Sequence, residues 1–220
     1  MTARLLRILA LLLIVPLGGC VTSTIQEIRE ADTGMSVEDS VVLLGRRTLP
    51  SREETEYSFL SCVGKRMGSG SNRVRVIDED EFRDALFPWF EPRTAPTNTA
   101  NLPDLIAQPN LARRLDELGL RYLVWIDGDT DRTDSAGSLT CSVTTAGAGC
   151  FGFLTWENNS SYEASIWDVR NGTSVGKISS DAVGTSYMPA VVIPVPIIAR
   201  VRSSACNSLG DQLKNFLNDG

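Results

Sequence analysis

The 220-residue sequence contains no histidine. Histidine is the general base of Ser-His-Asp and Cys-His catalysis and the commonest protein ligand of zinc, so its absence excludes those kinds of site. The five cysteines form no Cys-x-x-Cys pair and no spacing typical of a zinc site. We therefore predict no cofactor, no metal site and no catalytic residue.

Basic residues are too few for a polyanion-binding protein. The chain has 21 Lys and Arg against 27 Asp and Glu, a formal net charge of -6 at pH 7. Binding to nucleic acid or to anionic lipid headgroups needs clustered Lys and Arg, so we expect no nucleic-acid partner. The composition, 42% hydrophobic and 22% charged, is ordinary for one globular domain.

The amino-terminal apolar run is too short to cross a membrane. Ile8 to Leu17 contains ten residues, whereas a transmembrane helix needs roughly 20. Arg4 and Arg7 precede this run and small residues follow it, an order typical of a secretory signal peptide. The last four residues, Leu17-Gly18-Gly19-Cys20, resemble the lipobox of bacterial lipoproteins. The alternative is an ordinary signal peptide that ends near a cysteine.

The lipobox resemblance implies a cleaved signal peptide (1–19) and three acyl chains on Cys20. Val21 follows the cysteine, not the Asp that marks inner-membrane retention in enteric-type sorting, so the resemblance implies the outer membrane with the domain facing the periplasm. Residues 21–38 are polar and lack sustained periodicity. We therefore expect a lipidated tether over 20–38 and a single periplasmic domain over 39–220.

Four cysteines remain besides Cys20, and an even number in an oxidising compartment predicts disulfides. Cys141 and Cys150 bracket a short glycine-containing loop in a predicted hairpin, so they can pair locally. Cys62 and Cys206 each lie on the apolar face of a predicted helix. These two can meet if both helices cover the same face of the sheet.

The first half of the chain alternates strands with helices, and the second half reads as consecutive strands. Asn171-Gly172 between the last two strands is a strong hairpin signal. The predicted fold is α/β to α+β: a single mixed sheet with helices mainly on one face, an antiparallel meander in the C-terminal half and a C-terminal helix. The predicted strands are 40–45, 73–77, 120–126, 152–157, 162–169 and 173–184, and the predicted final helix is 204–217.

This pattern resembles a superfamily of envelope proteins. It comprises the curli-secretion lipoprotein, the penicillin-binding-protein activator lipoprotein and the amino-terminal domain of the Tol-Pal translocation protein. The matching residues are Val41 to Leu44, Arg121 to Asp129 and Ser165 to Gly184. In the curli-secretion relatives, inserted segments assemble into a membrane pore.

Asp127, Asp129 and Asp131 recur at every second residue, as in a calcium loop. The sixth position of an EF-hand loop needs Gly and here is Arg132, and the twelfth needs Glu and here is Ser138. The pattern is better explained by solvated carboxylates at the end of a strand.

The most unusual apolar stretch is 187–198. Both parities of the stretch are apolar, and Pro194 and Pro196 would leave one strand edge without N–H donors. One interpretation is that this stretch is a core strand or a packed loop. The other is a contact surface for a partner or a membrane. The predicted contact residues are Tyr187, Met188, Val192, Ile193, Val195 and Ile197.

These observations lead us to expect a non-catalytic interaction or assembly module of the cell envelope. It would hold the membrane through lipid on Cys20 and bind a periplasmic or outer-membrane protein, and no small-molecule substrate is indicated. The alternatives are an oligomeric secretion or pore component and, less favoured, a cell-wall hydrolase that uses paired carboxylates.

Overall fold

The computed structural model describes residues 20–46, 55–91, 94–95, 99–145 and 147–219. The predicted signal peptide lies outside these residues. The described chain forms six strands and five α-helices, with a short 3-10 turn at Thr99–Asn101. In chain order these are β1 (Val21–Arg29), β2 (Ser40–Gly45), α1 (Tyr57–Met67), β3 (Arg75–Ile77), α2 (Glu79–Ala85), α3 (Leu102–Ile106), α4 (Pro109–Glu117), β4 (Leu120–Thr144), β5 (Gly147–Asp168), β6 (Thr173–Pro194) and α5 (Val201–Asn218).

The strands form one mixed sheet in the order β1-β6-β5-β4-β2-β3. Strand β2 is parallel to β3 and β4, and helices occupy the connections between them, as parallel neighbours require. Strands β4, β5 and β6 form an antiparallel meander that leads into α5. The predicted α+β class with a single mixed sheet, an antiparallel meander and a C-terminal helix is confirmed. Helices were predicted mainly on one face of the sheet, and the structure has them on both.

Helices pack on both faces of the sheet. Val41 and Leu43 of β2 belong to the core that includes residues of α1 and α5, whereas Val42 and Leu44 belong to a second core with α2, α3 and α4. The two longest helices thus share one face, and three short ones cover the other. Since every residue of β2 is buried, this strand needs cover on both sides.

The predicted tether is wrong for Val21–Arg29, which form the edge strand β1. This strand pairs antiparallel with β6, from Val21 opposite Gly184 to Arg29 opposite Gly176. Val21 and Ile25 pack against the core on the α5 side, and the remaining residues are exposed. A strand with only two inward apolar contacts gives too weak an alternation to be recognised from sequence.

Both predicted disulfides are present. Cys62 in α1 is bonded to Cys206 in α5, with a Cα–Cα distance of 6.1 Å, because both helices cover the same face. Cys141 and Cys150 face each other in β4 and β5, with a Cα–Cα distance of 4.0 Å. The first bond links the two longest helices, and the second links the two strands of the β4–β5 hairpin.

The predicted hairpin turn is longer than two residues. β5 ends at Asp168 and β6 begins at Thr173. The Asp168 carboxylate accepts hydrogen bonds from the backbone N–H of Asn171 at 3.0 Å and from its Nδ2 at 2.8 Å. Gly172 follows with φ +67°, so the Asn-Gly pair closes a four-residue turn that the Asp168 side chain holds.

Candidate functional site

Strands β4, β5 and β6 continue well beyond the body of the sheet. Strand β1 pairs with β6 only as far as Gly184, and past this point the three strands run on without it. We call this extension, residues 135–144, 147–156 and 185–194, the arm. Its ten residues per strand correspond to about 33 Å at 3.3 Å per residue. The sequence pattern predicts that the first of these strands ends at residue 126, so the extent of the arm was not foreseen.

Two glycines allow the strands of the arm to approach each other closely. A Cβ at Gly152, where φ is +140°, would lie 2.2 Å from the carbonyl oxygen of Ser138. A Cβ at Gly137, where φ is +92°, would lie 2.1 Å from the carbonyl oxygen of Phe153. Only glycine fits these positions, and both lie just beyond a register shift in β4 between Arg132 and Ser135.

The arm carries no charge. Residues 135–156 and 185–199, 22 and 15 residues long, contain no Asp, Glu, Lys or Arg, although 22% of the whole chain is charged. Charged side chains resume at its inner end: Asp134 and Glu157 directly adjoin the arm, and Asp181 lies four residues before residue 185. The change from charged to uncharged sequence therefore coincides with the point where the arm leaves the body.

The predicted contact stretch lies at the surface. Tyr187, Val192, Ile193 and Val195 are exposed, with Ile193 71% exposed, and Met188 and Ile197 are half-buried. The six predicted contact residues do not include further exposed apolar residues of the arm and of the segment that follows it, namely Val143, Phe151, Phe153, Val191 and Ile198. The missing charge over 135–156 was the signal that could have indicated the first three.

Strand alternation sorts these residues onto two faces. Phe151 faces Val191, Phe153 faces Pro189, and the rings of Phe153 and Tyr187 lie 6.0 Å apart. We call Phe151, Phe153, Tyr187 and Val191 the apolar face. The other face carries Leu154, Met188, Val192 and the Cys141–Cys150 disulfide, and it continues the sheet face that α5 covers.

The outer edge of β6 in the arm is covered by the chain that follows it. Tyr187 and Ile197 exchange backbone hydrogen bonds of 2.8 and 2.7 Å, and the Val195 N–H donates to the Pro189 carbonyl at 3.0 Å. Because residues 195 and 197 point their N–H groups inward, positions 194 and 196 face outward. Both are prolines, so this outward edge has no N–H donor at either position.

Among the described residues, the opposite edge, along β4, has no strand partner beyond the contact with β2. Within the described residues, β2 pairs with β4 only as far as Ile126, and no strand flanks 127–144 on that side. Asp127, Asp131, Arg132 and Asp134 place charges along the inner part of this edge, which disfavours strand addition there. The described residues contain no group of three or more acidic or cysteine side chains arranged to hold a metal ion.

Cys20 lies at the base of the arm. It is exposed and directly precedes β1, and its carbonyl oxygen is 3.0 Å from where a Cβ on Gly184 would lie. Thr22 faces Val183 on the sheet face opposite the α5 core. Continuing the alternation by two residues places Cys20 on the same face as Tyr187.

A separate cleft of about 810 Å³ lies beside α1 and β3. Its carboxylates are engaged within the protein: Asp78 accepts from the Asp80 N–H, and Glu79 binds Arg83 at 2.7 Å. Asp39 binds Arg170 at 2.8 Å and the Ser36 N–H at 2.9 Å. Burial tends to raise the pKa of Asp39, but these hydrogen bonds and the arginine charge outweigh it and lower the pKa. We assign no chemistry to this cleft.

No helix within the described residues is both long and apolar enough to cross a membrane. The described chain is an α+β domain with one mixed sheet, two helical layers and a projecting arm.

No family model and no curated protein matches the chain. Among solved structures, it is similar to two crystal forms of the PelC dodecamer from Paraburkholderia phytofirmans, one of them of a point variant. The chain is 13% identical to the variant and 12% identical to the other form. Each alignment covers 90% of this chain and 99% of that chain, with a TM-score of 0.40. A similarity at this level establishes neither fold nor function for this chain.

Proposed function

We propose that this protein is a lipid-anchored lipoprotein of the outer membrane that faces the periplasm and acts as a non-catalytic interaction or assembly module of the envelope. The observation that carries the proposal is the position of Cys20. The residue that the lipobox resemblance marks for acylation directly precedes β1, at the base of an uncharged arm with exposed apolar side chains.

Acylation at this position would hold the folded body close to the bilayer. Each buried methylene contributes about 0.8 kcal/mol, and one chain alone binds only marginally, whereas the three chains of a lipoprotein anchor it stably. Since β1 begins at Val21, no flexible segment separates the anchor from the sheet. The arm therefore starts at the membrane surface.

The arm is our candidate contact surface because it concentrates apolar side chains that a soluble surface would normally scatter. Val191 is 79% exposed and Ile193 71% exposed, and the arm contains no charged residue. The absence of histidine and the engagement of the cleft carboxylates support a binding role rather than a catalytic one.

The oligomeric secretion or pore alternative would need copies to associate in a closed ring. A ring built by strand pairing uses both edges of each copy, since every contact is head to tail. The edge formed by Val195 and Ile197 lacks outward donors at Pro194 and Pro196, which opposes such pairing. The two prolines at this edge therefore favour a module that acts as a single copy over a ring of copies.

Two measurements on the full chain in intact bacteria test the proposal. Labelled palmitate should enter the wild-type protein and not the Cys20→Ser variant. A photo-crosslinking side chain at Ile193 should then capture a defined envelope component that the same side chain at Val37, 98% exposed on the body, does not capture. A wild-type protein without label would refute the anchor, and equal capture from both positions would refute the arm as contact surface.

A further inference from the structure

The apolar face of the arm is left exposed by the described residues. Phe151, Phe153 and Val191 are each at least half exposed, and together with Tyr187 they line one side of the arm. Resting on the proposed lipid anchor, we infer that the apolar face lies on the lipid bilayer that holds Cys20, within the boundary between headgroups and acyl chains.

The position of Cys20 supports this inference. Cys20 and the apolar face belong to the same side of the sheet, because Cys20 has the parity of Thr22, and Thr22 faces Val183 on that side. Tyr187 lies about 7 Å along β6 from the residue level with Cys20, and Val191 about 20 Å, at roughly 3.3 Å per residue. Acyl chains on Cys20 would bring this side of the arm to the bilayer first.

The charge distribution of the arm also supports it. A protein interface normally keeps a polar rim and is enriched in arginine, whereas the arm contains no charged residue of either sign. Hydrocarbon is the environment that excludes charge in this way. On the same side of the sheet, Glu157 and Asp181 begin where the apolar face ends, and they mark the level at which the sheet emerges into water.

The unpaired edge of β4 limits how deeply the arm can enter the bilayer. The outer edge of β4 in the arm leaves backbone groups without a strand partner among the described residues. Unpaired backbone groups are not tolerated in hydrocarbon, so the arm lies along the interface and does not pass through it. Tyr187, beside Phe153 with an apolar ring and a polar hydroxyl, suits the headgroup level.

The test uses the full acylated protein, purified in mild detergent and reconstituted into phosphatidylethanolamine–phosphatidylcholine vesicles. An encoded nitroxide side chain is placed in turn at Val191, at Val192 on the other face of the arm and at Val37 on the body. Paramagnetic relaxation by oxygen, which concentrates in lipid, is compared with relaxation by a water-soluble nickel complex. A label at Phe151 repeats the measurement on the same face should the Val191 variant not fold.

The inference predicts an oxygen-to-nickel accessibility ratio severalfold higher at Val191 than at Val37, with Val192 lower than Val191. A ratio at Val191 equal to that at Val37, on protein that still floats with the vesicles, overturns the inference and leaves the proposed anchor standing. A Val191 label shielded from both reagents also overturns it, since it indicates a second protein copy on the apolar face. Protein that does not float with the vesicles refutes the anchor itself.

Discussion

Asp39 is a single carboxylate that joins two distant parts of the body. It lies just before β2, is 5% exposed, and binds Arg170 in the turn between β5 and β6. Its lowered pKa means that ionised Asp39 stabilises the fold. That stabilisation is fully present above the pKa of an unfolded aspartate, near 4, and is lost as the pH falls through the lower folded pKa.

The Asp39→Asn variant should therefore be less stable at pH 7 by about 2 kcal/mol, because the buried side chain at position 39 loses the charge that pairs with the exposed Arg170. The difference from wild type should shrink between pH 7 and pH 3, as the pH falls toward the lowered folded pKa of Asp39. Urea unfolding followed by circular dichroism at the two pH values measures it, with the exposed Asp32→Asn as control. A loss of equal size at both pH values would show that Asp39 acts through shape and not through charge.

The two disulfides should differ in their effect on stability. On the chain-entropy model, the Cys62–Cys206 bond closes 144 residues and contributes about 5 kcal/mol, whereas Cys141–Cys150 closes 9 residues and contributes about 2.5 kcal/mol. Thermal unfolding of the two double Cys→Ser variants checks this order. We expect the larger loss of melting temperature without the α1–α5 bond, and the reverse order would contradict the packing described for these helices.

At the scale of the elements, the arm depends on glycine where its backbones meet. Gly152→Ala should unpair the arm, because the added Cβ cannot fit against the Ser138 carbonyl oxygen. Amide hydrogen exchange should rise severalfold over 138–156 and stay unchanged in α5. Gly149→Ala is the matched control in the same strand, since its Cβ would meet nothing closer than 3.8 Å. Equal exchange in both variants would refute this role for Gly152.

The elements that could be predicted from sequence are those with a strong local pattern. β2 has a continuous apolar run, and α5 has an apolar helical stripe through Leu209 and Leu213. The Asn171-Gly172 pair favours a turn by its residue types alone. β1 could not be predicted because its pairing with β6 is non-local and only Val21 and Ile25 turn inward. Four of the six predicted contact residues are exposed and two are half-buried. The apolar face consists largely of Phe151, Phe153 and Val191, which the pairing of β5 with β6 brings together.

At the scale of the whole molecule, Pro194 and Pro196 should control association. The wild-type protein, extracted in mild detergent, should have the mass of a single chain by light scattering. The Pro194→Val/Pro196→Val variant restores two outward N–H donors on an exposed apolar edge and should shift toward higher mass. A wild-type ring, or a variant that remains monomeric at high concentration, would contradict the role given to this edge.

The whole account depends on Cys20 being both the lipid-bearing residue and the residue before the first strand. Mass spectrometry of the amino-terminal peptide, taken from protein purified out of bacterial membranes, tests this most directly. We predict a peptide that begins at Cys20 and carries the mass of three acyl chains on that residue. A peptide that begins at Met1, or one that starts near residue 20 with an unmodified Cys20, would contradict the account.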